Sequence, residues 1–249
     1  MWFYSALFTL TAAVVCANPS IPLWEQIIPE SLYSSVGVIG DSNSNTVNFA
    51  AASWLNGPKF VEAFRSSSTN GTAAWSFLPK DFQDNTSSFA VATARHVDSA
   101  STGDVDIVAA GHTHSAASSQ TQQDGLCSVF GFSSQKQTSQ PLWRYDVPGN
   151  CSVLLDGAQT TLQLSEDGST AVFAAVVRDP ISGQMVPELH SLDGQSGKPL
   201  FVFRPANEVA GNNAVSLSRM GEHIAYSNGL NVFVLDKSGA LLTAPLKRE

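Results

Sequence analysis

Charge is scarce in this chain. Asp, Glu, Lys and Arg make up 14% of its 249 residues, and the 13 Lys and Arg are scattered among 21 Asp and Glu for a formal net charge of −8. An acidic chain without a basic patch is repelled by phosphate backbones, so nucleic acid is not an expected partner. Helical apolar stripes are missing after residue 30, while Ser, Thr, Gly, Asn and Ala are abundant. That balance favours short strands and polar turns. No segment beyond the first residues is long and apolar enough to span a bilayer. Recognisable catalytic motifs are missing too. The chain has no Gly-x-Ser-x-Gly elbow and no His-Glu-x-x-His helix, and Asp104 and Asp106 form no acid–base pair, so neither catalytic residues nor a cofactor are expected.

The opening residues carry a different signal. Met1 to Ala17 hold no charge, run apolar from Leu7 to Val15 and finish Val15-Cys16-Ala17 before Asn18-Pro19. This is a signal-peptide pattern, although its start lacks Lys or Arg; an uncleaved anchor or a buried helix is the rival reading. The expected product is extracellular, with no membrane span after cleavage. Two of the three cysteines, Cys127 and Cys151, then remain, an even count that suits a disulfide in an oxidising compartment. Cys127 precedes the strand Ser128 to Phe132, and Cys151 follows the strand Leu142 to Val147. If those strands form a hairpin the two sulfurs meet, for about 3 kcal/mol of stabilisation in the chain-entropy model; two free thiols are the alternative. Asn70, Asn85 and Asn150 head three glycosylation sequons, all in expected loops.

Four similar units fill the rest. Aromatic-bearing strands recur at Ala73 to Phe77, Pro141 to Tyr145 and Pro199 to Phe203, with a weaker copy at Ala240 to Ala244, so an aromatic slot falls at Trp75, Trp143 and Phe201 and at Thr243 in the last copy. Each is preceded by a polar turn and three more short strands, such as Ala171 to Ala175 and Glu188 to Leu192. Four antiparallel strands repeated in the same order are expected of propeller blades. A single sandwich also has short, evenly spaced strands, but it gives no reason for the repeated four-part text. The expected fold is therefore all-β: a β-propeller-like array of about four four-stranded antiparallel blades, near 33–80, 88–147, 160–205 and 214–246, either closed or an incomplete ring. The expected domains are a signal peptide over 1–17, an N-terminal segment over 18–32 and the repeat domain over 33–249.

Ser191 to Phe201, which reads Ser-Leu-Asp-Gly-Gln-Ser-Gly-Lys-Pro-Leu-Phe, resembles the tryptophan-docking segment of quinoprotein-type (PQQ-like repeat) propellers, Ala-x-Asp-x-x-Thr-Gly-Lys-x-x-Trp. Ser replaces Ala and Thr, and Phe replaces Trp. The resemblance implies that Asp193 bonds the turn backbone, Gly197 takes a positive φ, and Phe201 stacks on a neighbouring blade, with Trp75 and Trp143 in matching places. It covers one segment well, two loosely, and implies a repeat shared by enzymes and non-enzymes.

Other candidates carry less. His112 and His114 lie two apart at a strand end, where both share a face, but no third metal ligand is evident, and they read as surface histidines. Asp41 to Asn45 has calcium-loop spacing at first, yet Thr46 and Ala52 stand where Gly and Glu belong. In Gly194 to Lys198 a phosphate loop fails because Pro199 follows the lysine. The chain thus reads as a secreted, non-catalytic binding or interaction module for an unidentified protein or glycan ligand, able to self-associate if its ring is open. A truncated extracellular quinoprotein-like oxidoreductase, with a quinone cofactor, is the alternative.

Overall fold

Along some strands every second side chain is buried, while inner ones such as Thr170–Arg178 are buried on both faces. In Asn231–Asp236, Asn231, Phe233 and Leu235 point inward while Val232 is exposed, the period of a strand with one face on a core. The computed structural model describes residues 10–11, 25–26, 32–40, 47–54, 60–66, 71–79, 86–94, 104–113, 125–134, 140–149, 151–152, 161–206 and 213–247. Within them lie nineteen strands and no helix.

A small ladder joins β1 (Leu10–Thr11) to β2 (Glu25–Gln26). Four antiparallel sheets follow in chain order. The first holds β3 (Leu32–Gly40), β4 (Val47–Trp54), β5 (Val61–Ser66) and β6 (Gly71–Phe77), and the second β7 (Thr86–Thr93), β8 (Ile107–Thr113), β9 (Cys127–Phe132) and β10 (Trp143–Asp146). The third holds β11 (Cys151–Ser152), β12 (Leu162–Leu164), β13 (Thr170–Arg178), β14 (Met185–Asp193) and β15 (Pro199–Phe203), and the fourth β16 (Ala214–Leu217), β17 (His223–Ser227), β18 (Asn231–Asp236) and β19 (Leu246–Lys247). Each sheet packs on the next through its own apolar core: Phe60, Trp75 and Phe130 between the first two, Trp143, Phe173 and Leu192 between the second and third, and Val172, Leu189 and Tyr226 between the last two. A sandwich would have one shared core, so this succession is the blade array expected from the repeat. The four sheets are not closed into a ring.

Two strands lie where the sequence pattern did not put them. Cys151–Ser152, expected beyond a strand, pairs with Val176 and Val177 as a fifth strand of the third sheet. In the fourth sheet, Ala240 to Ala244 makes only a bridge between Leu241 and Leu235, and the outer ladder forms at Leu246–Lys247 against Asn231 and Val232. Pro245 has no N–H to offer a ladder, so pairing resumes one residue later.

Close approach of glycine to an aromatic ring holds the second sheet on the third. Trp143 lies across the ladder from Gly131 and donates its indole N–H to the Gly194 carbonyl at 3.0 Å. Its ring also covers Gly197, where a Cβ would stand 2.6 Å from ring carbons and where φ is +69°. Beside it, Gln195 acts as a substitute peptide: Val105 donates to its Oε1 at 2.8 Å, and its Nε2 donates to the carbonyls of Val105 at 3.1 Å and Gly168 at 2.8 Å. Phe201 repeats the arrangement against Gly239 of the fourth sheet, with a Cβ there 2.7 Å from the ring. Trp75 instead stacks on Phe132 of the second sheet, centroids 5.1 Å apart. A disulfide, Cys127–Cys151, ties β9 to β11 and so crosses from the second sheet to the third.

Gly183 separates backbone strain from steric contact, because its φ of +68° nearly equals that of Gly197 but nothing lies within 4 Å of an added Cβ. Gly183→Ala is expected to cost about 1 kcal/mol, the left-handed penalty alone. Gly197→Ala adds overpacking against Trp143 and is expected to cost at least about 2 kcal/mol. Urea denaturation midpoints of the two variants test this, and equal losses would show that the ring contact contributes nothing.

Candidate functional site

On the third sheet, a cleft of about 610 Å³ is lined by Val177, Arg178, Pro180, Glu188, His190, Val202 and Arg204, with Pro148 and Gly149 from the segment that joins it to the second sheet. The period of two builds its floor. Glu188 and His190 are alternate residues of β14 on one face, and Val202 is the register partner of His190 on β15. Tyr145 reaches the same place from β10 of the second sheet.

These side chains form one polar chain. The Tyr145 hydroxyl lies 3.0 Å from His190 Nδ1, and His190 Nε2 stands 3.1 Å from Glu188 Oε2. Arg204 then grips Glu188 Oε1 through Nε at 2.9 Å and through Nη2, while its Nη1 donates to Asp179 at 2.9 Å. Asp179 in turn accepts from the backbone N–H groups of Ile181 and Ser182, both at 2.8 Å, which holds the β13–β14 turn beside the cleft.

Burial decides how each member is charged. The His190 and Glu188 side chains are only 1% and 7% exposed, against 43% for Arg204. Burial works against the Glu188 charge, but hydrogen bonds from His190 and Arg204 outweigh it and hold the carboxyl below its ordinary range. Burial, and then the negative charge of Glu188, push the Tyr145 hydroxyl up, so it keeps its proton. The Tyr145 hydroxyl and His190 Nδ1 share one hydrogen bond, and His190 Nε2 faces the carboxylate. The arrangement offers hydrogen-bond donors and acceptors to a polar group, and a tyrosine with a raised pKa is a poor nucleophile.

The residues singled out from the sequence fall elsewhere. Trp143, Asp193, Gly197 and Phe201 sit at the sheet junctions, where Asp193 accepts from Ser196 N at 2.8 Å and from its hydroxyl at 2.7 Å. Trp75 is buried between the first two sheets. Cys127 and Cys151 form the disulfide. The backbone of His112 lies in β8 opposite Cys127, whereas His114, Asp41 to Asn45, Asn70, Asn85 and Asn150 lie outside the described residues. Among the described residues no cluster of His, Cys, Asp and Glu is arranged for a metal ion. Sequence reasoning missed the cleft. Its one local signal was Glu188-x-His190 inside a strand.

No family model and no curated protein matches this chain. Among solved structures, the Dos1 propeller superposes on 90% of the chain with a TM-score of 0.54 at 11% identity, over 51% of its own length. A quinohemoprotein alcohol dehydrogenase from Pseudomonas putida matches 82% of the chain and 33% of itself at 11% identity and a TM-score of 0.47. A gluconolactonase from Xanthomonas campestris matches 85% of the chain and 77% of itself at 13% identity and a TM-score of 0.38. The likeness to the Dos1 propeller shows the fold, and the chain spans about half the length of that propeller.

Glu188→Gln keeps the shape of the side chain and removes its charge. Because the folded carboxyl titrates below the ordinary glutamate value of 4.5, its contribution is complete above that pH and fades as pH falls through the folded value. At neutral pH the variant is expected to be less stable by about 2 kcal/mol, a value held down by the exposure of Arg204. The difference should shrink below pH 4.5. Denaturation midpoints at neutral pH and stepwise into acid measure it; a difference that stays constant with pH would remove the ionic role of Glu188.

Proposed function

We propose that this chain is a secreted, non-catalytic binding module of β-propeller type that seats its ligand in the cleft on the third sheet. The observation that carries the reading is the series His190, Glu188 and Arg204, backed by Tyr145, at the lining of a cleft of about 610 Å³, a volume within the usual range of small-molecule sites. Secretion is supported by the uncharged opening segment and by the Cys127–Cys151 disulfide, which suits an oxidising compartment. Three sequons agree with the same route.

The quinoprotein-like alternative rests on Ser191 to Phe201. In that segment Asp193 holds its own turn, Gly197 lies under Trp143, and Phe201 covers Gly239. The residues that carry the resemblance are therefore occupied in joining sheets. Their arrangement argues for a shared structural repeat.

A methyl-labelled sample exported with its own opening segment and purified from culture medium tests the proposal. It is expected to begin at Asn18, and fragments from a small-molecule library should shift the methyl signals of Val177 and Val202 in its NMR spectra. A product retained by the cells would overturn the secreted part. A library that leaves both methyls unmoved would overturn the cleft as a ligand seat.

A further inference from the structure

We infer that the outward face of the fourth sheet docks on the same face of a second copy of this chain, as a two-fold symmetric dimer. The first support is continuity with the interface one sheet earlier. Leu189 stands four residues before Asp193, and Val232 four before Asp236, the two aspartates that open matching turns. On the third sheet Leu189 shares a row with Ala174 and Phe203, and that row packs on the fourth sheet, with Ala174 and Leu189 fully buried. The equivalent row of the fourth sheet runs Ser227, Val232, Leu246. Because the neighbouring Tyr226 and Phe233 are packed on the third sheet, the two-residue period turns this row away from it. Val232 and Leu246 are 37% and 62% exposed there.

The face complements itself. Register aligns Ala214, Ser227, Val232 and Leu246 in one row, Ser216, Ala225 and Val234 in the next, and His223 with Asp236 in a third. Small side chains thus lie on β16 and β17, and larger apolar ones on β18 and β19. Two sheets packed face to face keep their strands nearly aligned, and a two-fold axis along the strands between β17 and β18 reverses each row. It sets Leu246 on the second copy's Ala214, Val232 on its Ser227 and Val234 on its Ala225, large against small, as close packing requires. The same operation brings His223 to the second copy's Asp236 in two symmetric pairs, a polar rim beside the apolar rows. Head-to-tail docking on the first sheet lacks such a surface. In β5, Val61 and Ala63 face the second sheet, and the alternate residues Glu62 and Phe64 are already buried.

Sedimentation equilibrium of the full chain over a range of concentrations tests the inference, and a monomer–dimer equilibrium is expected. Val234→Lys and Leu246→Lys each set a charge against a small side chain of the second copy and are expected to weaken dimerisation at least tenfold. Leu246 is so exposed that its variant keeps the test intact should Val234→Lys misfold, and circular dichroism checks both. Val202→Lys adds the same charge to an exposed strand position of the third sheet and is expected to leave the dimer unchanged. A chain that stays monomeric at every concentration, a dimer undisturbed by Leu246→Lys, equal weakening by Val202→Lys, or assemblies that grow past the dimer would each overturn the inference.

Discussion

The indole of Trp143, held between Gly131 of its own sheet and Gly197 of the next, is the contact on which the centre of this molecule depends. A four-stranded sheet has two faces and cannot bury both alone, so each blade must be spaced correctly against a neighbour. Glycine on both sides of the ring lets backbone approach to van der Waals distance. The indole N–H reaching the Gly194 carbonyl then sets the height of the third sheet against the second. With that spacing in place, Gln195 can match both peptide groups of Val105, and Cys127 can meet Cys151.

The cleft is the other consequence of the same spacing. On the inner strands small residues such as Ala110, Ala171 and Ala175 are fully packed, and the sheets lie close. Farther out the faces separate, and β10 and β15 carry half-exposed side chains. Aliphatic side chains would leave a void in so wide a gap. Polar side chains border it instead, with the Tyr145 hydroxyl bonded to His190, His190 Nε2 facing Glu188, and Arg204 gripping Glu188. Their pairing sets the Arg204 guanidinium against the Glu188 carboxylate.

Much of the fold was legible in the sequence because its signals are local. Alternation in Asn231 to Leu235, the Asp193-to-Gly197 turn and the aromatic slots at Trp75, Trp143 and Phe201 each need only a few residues to be recognised. The pattern failed where pairing is decided at a distance. Cys151–Ser152 is too short to show a period and becomes a strand only because Val176 and Val177 lie beside it. Thr243 occupied a slot by counting, but Pro245 moved the last ladder to Leu246. The cleft was hardly legible at all. Glu188 and His190 announce a shared face, yet Tyr145 is 45 residues from His190 and belongs to another sheet, and Arg204 stands beyond the end of β15.

By itself, then, the sequence determined an all-β chain of four similar units, their turns, and a pair of cysteines placed within reach of each other. Steric preferences of single residues and the two-residue period of a strand are enough for that. Only the tertiary structure decided that the disulfide joins two sheets, that the array stays open, and that four polar side chains from two sheets meet at one cleft. Those outcomes depend on distances between groups far apart along the chain, and such distances exist only after the Trp143 and Phe201 junctions have brought the sheets together.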